Sequence, residues 1–235
     1  MIALTSISPK HTNGNNQAEA VKSWKEHGFK VVSLNHPSEI EALKPLYPEV
    51  DFIPTERTAE KHFGKKYVMI NALLDYAKQA KGDHFLIINS DILLFDKHNV
   101  LPGIKQRSEE GITFIKRMDY ETDFATSKKY DHGIDAFFIH RKFLDIFPQS
   151  IYCMGQTFWD YWIPYRSVEA GVPIFELKEP LAYHKKHDIQ YKPEEWVKMG
   201  RYFQWENNLE RFNNGRSGIA RMSHYVYNKF TQAAK

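Results

Sequence analysis

The sequence is poor in cysteine and in long apolar runs. Its single cysteine, Cys153, cannot form an internal disulfide or build a cysteine-rich metal site. No stretch reaches the length of a membrane span, and residues 1–6 have neither the basic region nor the apolar run of a signal peptide. These absences exclude a disulfide-stapled scaffold, and we expect a protein without a membrane span in a reducing, cytoplasmic setting.

An excess of one charge is also lacking. The chain has 32 lysines and arginines against 29 aspartates and glutamates, a formal net charge of +3. This excess is too small to predict a nucleic-acid partner from composition. Residues 201–235 are locally basic and rich in aromatics, which is compatible with an anionic or DNA acceptor. The commoner explanation is a helix that packs its aromatic side chains on the domain.

Glycine-rich phosphate-binding motifs are absent as well. The first predicted strand, residues 2–7, is not followed by a Gly-x-Gly-x-x-Gly pattern, so a dinucleotide fingerprint is not indicated. Residues 8–16 form a loop rich in turn-forming residues. Its Ser, Thr and Asn side chains can still hold a nucleotide by hydrogen bonds.

Alternating strand and helix patterns make up most of the chain. The first part predicts strands at 2–7, 29–34, 50–55 and 85–91, with helices at 17–27, 36–47 and 65–81. The second part predicts strands at 111–117, 133–140 and 173–177, and helices at 141–147, 155–170 and 193–212. We expect an α/β domain over residues 1–190, with a mostly parallel central sheet flanked by helices. Residues 191–235 would form a helical C-terminal extension packed on it.

The stretch from Phe85 to Phe95 is the strongest candidate for a site. Four apolar residues break at Asn89-Ser90-Asp91, and an apolar run then resumes. A carboxylate at the carboxyl end of a buried strand lies where open α/β sheets bind ligands. Asp91 is therefore the first functional candidate. The alternative is that these three residues only form a turn.

Four features in chain order resemble the GT-A fold glycosyltransferases. They are the polar loop after the first strand, Asn89-Ser90-Asp91, the segment 156–160, and His184 beyond a late strand. The resemblance covers residues 1–190. It implies a nucleotide-sugar-dependent hexosyl- or pentosyltransferase, for which a UDP-sugar is the favoured donor. The acceptor hydroxyl would belong to a glycan, a small molecule, a protein or a modified DNA base.

The same resemblance implies a metal site. Asp91 would be the metal-binding aspartate of the family's Asp-x-Asp motif, with Asn89 in place of the first aspartate, and His184 would be a second ligand. Oxygen ligands with one imidazole suit Mn²⁺, and Mg²⁺ less well. By itself, His184 is better explained as a surface residue of the basic run 184–187. His184 and His187 could also form a metal pair of their own, although the sequence shows no further ligands for it.

On the acceptor side, the resemblance makes Asp160 the catalytic base. A base on the face opposite the leaving diphosphate would invert the anomeric carbon. The alternative is a capping box, in which Thr157 and Asp160 satisfy the start of a helix. Trp159 and Trp162 flank Asp160, so their rings are candidates to bind the acceptor, and the alternative is a core role for one of them.

The remaining candidates would contact the donor. Gly133 would let backbone approach the sugar and Asp135 would hold its hydroxyls, unless the segment is a tight turn before a strand. The full donor-binding set is Thr5, Ser6, Ser8, Asn13, Asn89, Ser90, Arg117, Gly133, Asp135 and Lys186.

Two other classes of function remain open. One is nucleotidyl transfer to a sugar phosphate, although the Asn-rich loop after the first strand lacks the Gly-rich, basic character of that class. The other is a binding module for glycans or nucleic acid that has no catalytic activity.

Overall fold

The computed structural model describes residues 1–9, 16–187 and 192–235. The strands are β1 (Ile2–Thr5), β2 (Lys30–Asn35), β3 (Asp51–Pro54), β4 (His84–Ile88), β5 (Ile92–Leu94), β6 (Ile112–Tyr120), β7 (Lys128–His140), β8 (Ile174–Leu177) and β9 (Ala182–Lys185). The α-helices are α1 (Asn16–Glu26), α2 (Pro37–Leu43), α3 (Glu60–Phe63), α4 (Ile70–Gln79), α5 (Leu101–Glu110), α6 (Trp159–Glu169), α7 (Pro193–Glu206) and α8 (Arg216–Ala233). Two 3₁₀ turns lie at Phe124–Thr126 and Arg141–Ile146.

All the strands belong to one curled sheet, in the order β3-β2-β1-β4-β7-β6-β9-β5, with β8 paired to β6. The strands β3, β2, β1 and β4 run parallel, as do β6–β8 and β6–β9. The pairs β4–β7, β6–β7 and β5–β9 are antiparallel. This mixed but mostly parallel sheet, flanked by helices, confirms the predicted α/β class.

The carboxyl ends of β1 and β4 lie side by side. Leu4 is paired with Ile87, so the polar residues that follow both strands emerge at the same edge of the sheet. Ile2–Thr5 of β1 and residues 85–88 of β4 are buried, which explains their almost continuous apolar sequence. This edge is where parallel α/β sheets bind ligands.

The edge strand β5 is covered by α1. The indole Nε1 of Trp24 donates to the carbonyl of Ile92 (2.8 Å), and the amide of Leu94 donates to Oγ of Ser23 (3.0 Å). These side chains satisfy two backbone groups of an otherwise open sheet edge, which protects it against pairing with another chain. They also fix the position of β5, and with it the position of Asp91 just before that strand.

The C-terminal helices complete the main core. Phe203 of α7 and Met222 and Phe230 of α8 belong to the same buried cluster as Phe114 of the sheet. The rings of Phe114 and Phe230 lie 5.8 Å apart at nearly right angles. Residues 192–235 therefore share the core of the preceding domain.

Several predicted boundaries differ from the structure. Helix α4 begins at Ile70 because Val68 and Met69 instead form antiparallel bridges to Thr58 and Cys153. Helix α6 begins only at Trp159, and Phe158 before it has a positive φ of 74°. Helix α5 was not predicted, since only three of its residues are buried and its apolar pattern is weak. No helix in the described ranges has both the length and the apolar character needed to cross a membrane.

Candidate functional site

Asp91, His184 and His187 meet at the carboxyl edge of the sheet. His187 Nε2 lies 3.2 Å from Asp91 Oδ2 and 3.1 Å from His184 Nε2, and the third side of this triangle, His184 Nε2 to Asp91 Oδ2, is 3.6 Å. Sheet pairing produces the meeting, because His184 in β9 is paired with Ile92 in β5, the residue after Asp91. Such a set of one carboxylate and two imidazoles can hold a divalent metal ion.

The spacing of the three atoms fits a single ion. Two ligand atoms about 2.1 Å from an ion, at right angles to one another, lie about 3 Å apart. The observed separations of 3.1–3.6 Å are close to that value. The sequence showed no further ligand for a His184–His187 pair, and the structure places Asp91 beside the two imidazoles as a third possible ligand.

Asp119 lies behind His184. Its Oδ1 is 3.2 Å from His184 Nδ1, and the guanidinium of Arg117 donates to the same oxygen from Nε (2.8 Å). Burial disfavours the charged imidazolium, but the hydrogen bonds to Asp119 and Asp91 outweigh it and raise the pKa of His184 to about 9. Burial also disfavours the Asp119 carboxylate, yet His184 and Arg117 together lower its pKa.

Arg117 joins this cluster to Asp135. Its Nη1 donates to Asp135 Oδ2 (2.7 Å), and the side-chain amide of Asn89 donates to Asp135 Oδ1 (2.6 Å). Both oxygens of Asp135 are thus engaged by protein groups, as is the Asn89 amide. The β6–β7 register shifts between Ile115 and Lys116 and again between Lys116 and Met118, so Arg117 lies in an irregular part of the pairing, and such bulges redirect side chains.

Gly133 lies inside β7, so the alternative of a turn before the strand is wrong. A Cβ atom at this position would come within 2.8 Å of Arg117 Nε and 2.6 Å of the Tyr130 ring. The Tyr130 ring in turn lies under the guanidinium, 5.0 Å from it. The absence of a side chain at Gly133 therefore makes room for Arg117.

Asp160 is in the first turn of α6, where the helix dipole favours an acid. Burial and the negative charge of Asp135 raise the pKa of Asp160 to about 8, against the opposing effect of backbone N–H groups and of Arg117. The Thr157–Asp160 capping box does not form, because the N-cap is Phe158 and no side chain caps the helix, but the backbone N–H groups of Asp160 and Tyr161 do interact with the Asp160 carboxylate. The hydroxyl of Thr157 has no hydrogen-bond partner within the described residues.

The two tryptophans beside Asp160 are in the core. Trp159 is 1% exposed and Trp162 is fully buried, and they pack on Phe137, Phe147 and Tyr152. In this structure neither ring offers a face to a ligand, so burial favours the core role over acceptor binding.

The aromatic side chains at the surface near Asp160 are tyrosines rather than tryptophans. Tyr130 is 45% exposed. The hydroxyl of Tyr161 is 3.1 Å from Nδ1 of the exposed His132, whose ring lies 4.7 Å from that of Tyr227. Asp160 and Tyr130 are both close enough to Tyr161 to raise its pKa, after the larger effect of burial. This aromatic surface was not predicted.

The polar residues after β1 and β4 are linked through Gln17. Its Oε1 accepts hydrogen bonds from the amide of Ser8 (2.9 Å) and the hydroxyl of Ser90 (2.6 Å). Thr5 is fully buried, and its hydroxyl has no partner in the described part of the chain, whereas Ser6 is partly exposed. Asn13 lies outside the described residues. Lys186 pairs with Glu121 (3.2 Å), an exposed side chain.

Sequence reasoning left out two residues of this region, Gln17 and Asn35, and it considered Asp119 only as a contact to sugar or phosphate and His187 only in a pair with His184. Asn35 ends β2, where it donates to the carbonyl of Ile7 (2.8 Å) and accepts from Ser33 Oγ (2.7 Å). A signal existed for Asn35, because Ser33 and Asn35 are polar residues in an otherwise apolar strand. For Gln17 there was none, since a glutamine near a helix start is ordinary.

The curled mixed sheet with its flanking helices is consistent with a GT-A-like fold. No family model matches the chain, and neither does any curated protein. TarS from S. aureus in complex with UDP matches over 98% of this chain and 71% of its own, at 13% identity and a TM-score of 0.52. TarS in complex with UDP-GlcNAc matches over 98% and 70%, at 12% identity and a TM-score of 0.53. At these identities the likeness shows the fold.

Proposed function

We propose that this protein is a metal-dependent glycosyltransferase that moves a sugar from a nucleotide-diphosphate donor to an acceptor hydroxyl. The observation that carries the proposal is the meeting of Asp91, His184 and His187 at the carboxyl edge of a GT-A-like sheet. Ligand sites of open α/β sheets lie at this edge. A divalent ion held there would neutralise the negative charge that develops on the leaving diphosphate.

The donor would lie across the ends of β1 and β4. Ser6, Ser8 and Ser90 are partly exposed at this edge, whereas Thr5 is buried beneath it, and Gln17 links the two segments. TarS, which shares this fold, has been solved with UDP and with UDP-GlcNAc, and this supports a UDP-sugar as the first donor to test. Asn89 and Asp135 bond to each other, so they shape the pocket wall and reach the sugar only if that bond opens.

Asp160 is the proposed base. A general base works best when its pKa lies near the working pH, and the pKa of Asp160 is raised to about 8. Its charge is not cancelled by an ion pair in the described structure, so it is available to accept a proton from an acceptor hydroxyl. Tyr130 and Tyr161, rather than the buried tryptophans, offer ring surface to that acceptor.

Thermal unfolding with a nucleotide panel tests the donor site. A ligand that binds only the folded state stabilises it, by about 2.7 kcal/mol at a free concentration of 100 times its Kd, and therefore raises the melting temperature. We expect UDP or a UDP-sugar with Mn²⁺ to raise Tm, and chelator to remove the shift. Asp91→Ala should remove it too, since that variant loses a ligand of the ion.

Asp145→Ala is the matched control, because Asp145 is 90% exposed and pairs with Lys78 on another face. In the presence of the donor and Mn²⁺, the Tm of this variant should rise as much as that of wild type. If no nucleotide with Mn²⁺ raises Tm, the proposed donor site is refuted, and the hypothesis of a non-catalytic binding module is favoured instead. If a nucleoside triphosphate with a sugar phosphate releases pyrophosphate, the chemistry is nucleotidyl transfer instead.

A further inference from the structure

The two ring nitrogens of His184 have different partners. Nδ1 lies 3.2 Å from Asp119 Oδ1, on the side away from the proposed metal site. Nε2 points toward Asp91 and His187, at 3.6 and 3.1 Å. With Nδ1–H donated to a carboxylate, a metal ion that displaces the Nε2 proton of the imidazolium binds to the lone pair left on Nε2.

Asp119 is itself held in place. Asp119 in β6 is paired with His184 in β9, so the two side chains start from neighbouring backbone positions. Arg117 donates to Asp119 Oδ1 from Nε (2.8 Å) and to Asp135 from Nη1 (2.7 Å). The carboxylate therefore cannot turn away from His184 without breaking a charge-assisted hydrogen bond.

We infer that Asp119 positions His184 as a metal ligand, and that the side chains of this protein hold a divalent transition-metal ion before any nucleotide binds. The inference rests on the metal site of the proposed function and deepens it. Three ligand atoms of the protein already lie close enough together to bind one ion, so the ion does not need a diphosphate as an additional ligand in order to bind. Two imidazoles with one carboxylate favour Mn²⁺, Co²⁺ or Zn²⁺ over Mg²⁺, which prefers oxygen ligands.

Direct metal binding to the nucleotide-free protein tests this inference. Mn²⁺ is titrated into wild type, Asp119→Leu, Asp119→Asn and Asp91→Ala, with free Mn²⁺ followed by electron paramagnetic resonance. Loss of a carboxylate partner behind a ligating histidine weakens metal binding by about 10–100-fold. We expect that loss in Asp119→Leu, and a smaller one in Asp119→Asn, whose carbonyl oxygen can still accept from Nδ1–H.

Glu121→Gln is the matched control. It removes a carboxylate two positions away, but Glu121 is 74% exposed and pairs with Lys186 rather than with a ligand. Its Mn²⁺ affinity should match that of wild type. The absorption spectrum of bound Co²⁺ gives a second readout, which should change in the Asp119 variants and not in Glu121→Gln.

The outcomes separate the inference from the proposed function. If Asp119→Leu and Asp119→Asn bind Mn²⁺ as wild type does, the role of Asp119 is refuted while the metal site stands. If wild type binds Mn²⁺ no better than Asp91→Ala does, the nucleotide-free site is refuted. A donor-induced rise in Tm with Mn²⁺ would even then support the glycosyltransferase proposal. Asp119→Asn keeps the test valid if Asp119→Leu fails to fold.

Discussion

Asp160 is an acid whose ionised form is disfavoured by the fold. Burial and the nearby charge of Asp135 raise its pKa to about 8, whereas an aspartate in an unfolded chain has a pKa of about 3.9. Between these two values the folded protein keeps a proton that the unfolded chain has lost. The contribution of Asp160 to stability therefore falls as the pH rises from about 4 to about 8, and it stays low above that.

Replacing Asp160 by Asn removes this pH-dependent penalty. We expect Asp160→Asn to raise Tm relative to wild type at pH 9 by more than at pH 5, and to abolish sugar transfer. Thermal scans of both proteins from pH 5 to 9, at constant ionic strength, give the difference. Asp145→Asn, at an exposed site, should show no such trend. A pH-independent difference for Asp160→Asn would contradict the raised pKa.

Residue type and chain order predicted part of the site, whereas the roles of other residues depend on their burial, which the sequence does not show. Asp91 and His184 were candidates by type and order, and the structure brings them within 3.6 Å. The roles of Trp159 and Trp162 could not be predicted in the same way. The local sequence of a Trp next to an acid is the same whether its ring faces a ligand or the core. Likewise the partners of Asp135 come from residues 18 and 46 positions away.

Two glycines within helices have opposite surroundings. Gly103 in α5 has open space where a Cβ would be, whereas a Cβ on Gly200 in α7 would lie 2.3 Å from Ile219 Cγ2 in α8. Ala restricts the unfolded chain more than Gly does. The close approach of α7 and α8, by contrast, has no room for a methyl group.

We therefore expect the same substitution to have opposite effects at these positions. Gly103→Ala should stabilise the protein by about 0.4–1 kcal/mol, and Gly200→Ala should destabilise it by about 1–3 kcal/mol. Urea unfolding followed by circular dichroism measures both. Each variant serves as the control for the other, and equal effects would mean that α7 and α8 do not pack as closely as described.

The presence of individual helices and strands was easier to predict from the sequence than the pairing between strands. The first four strands and the helices α1, α2 and α4 were expected in the observed order, because their apolar patterns are local, whereas the short helix α3 was not. The pairing of β5 with β9 joins residues about 90 positions apart, and it is this pairing that brings His184 next to Asp91. A local pattern cannot specify a contact of that separation, so the combination of Asp91 with His184 could be proposed only through the resemblance to a known fold.

At the scale of the whole molecule, the helices that follow residue 190 contribute to the main core. Side chains of α7 and α8 pack into the same cluster as β6, β7 and α6. Residues that share one core unfold together in small domains. The described chain should accordingly melt in a single transition, with calorimetric and van't Hoff enthalpies in agreement.

Phe230 tests that cooperativity. It is fully buried in α8 and lies edge-on to Phe114 in the sheet (5.8 Å) and to Tyr161 in α6 (5.7 Å). A buried Phe→Ala change costs about 3–5 kcal/mol. For a chain of this size that lowers Tm by about 6–20 °C. Because the helix shares its core with the sheet, Phe230→Ala should shift the whole transition, whereas Trp205→Ala, at a site 67% exposed, should leave it in place. A separate low-temperature transition in Phe230→Ala would instead show that the C-terminal helices unfold on their own.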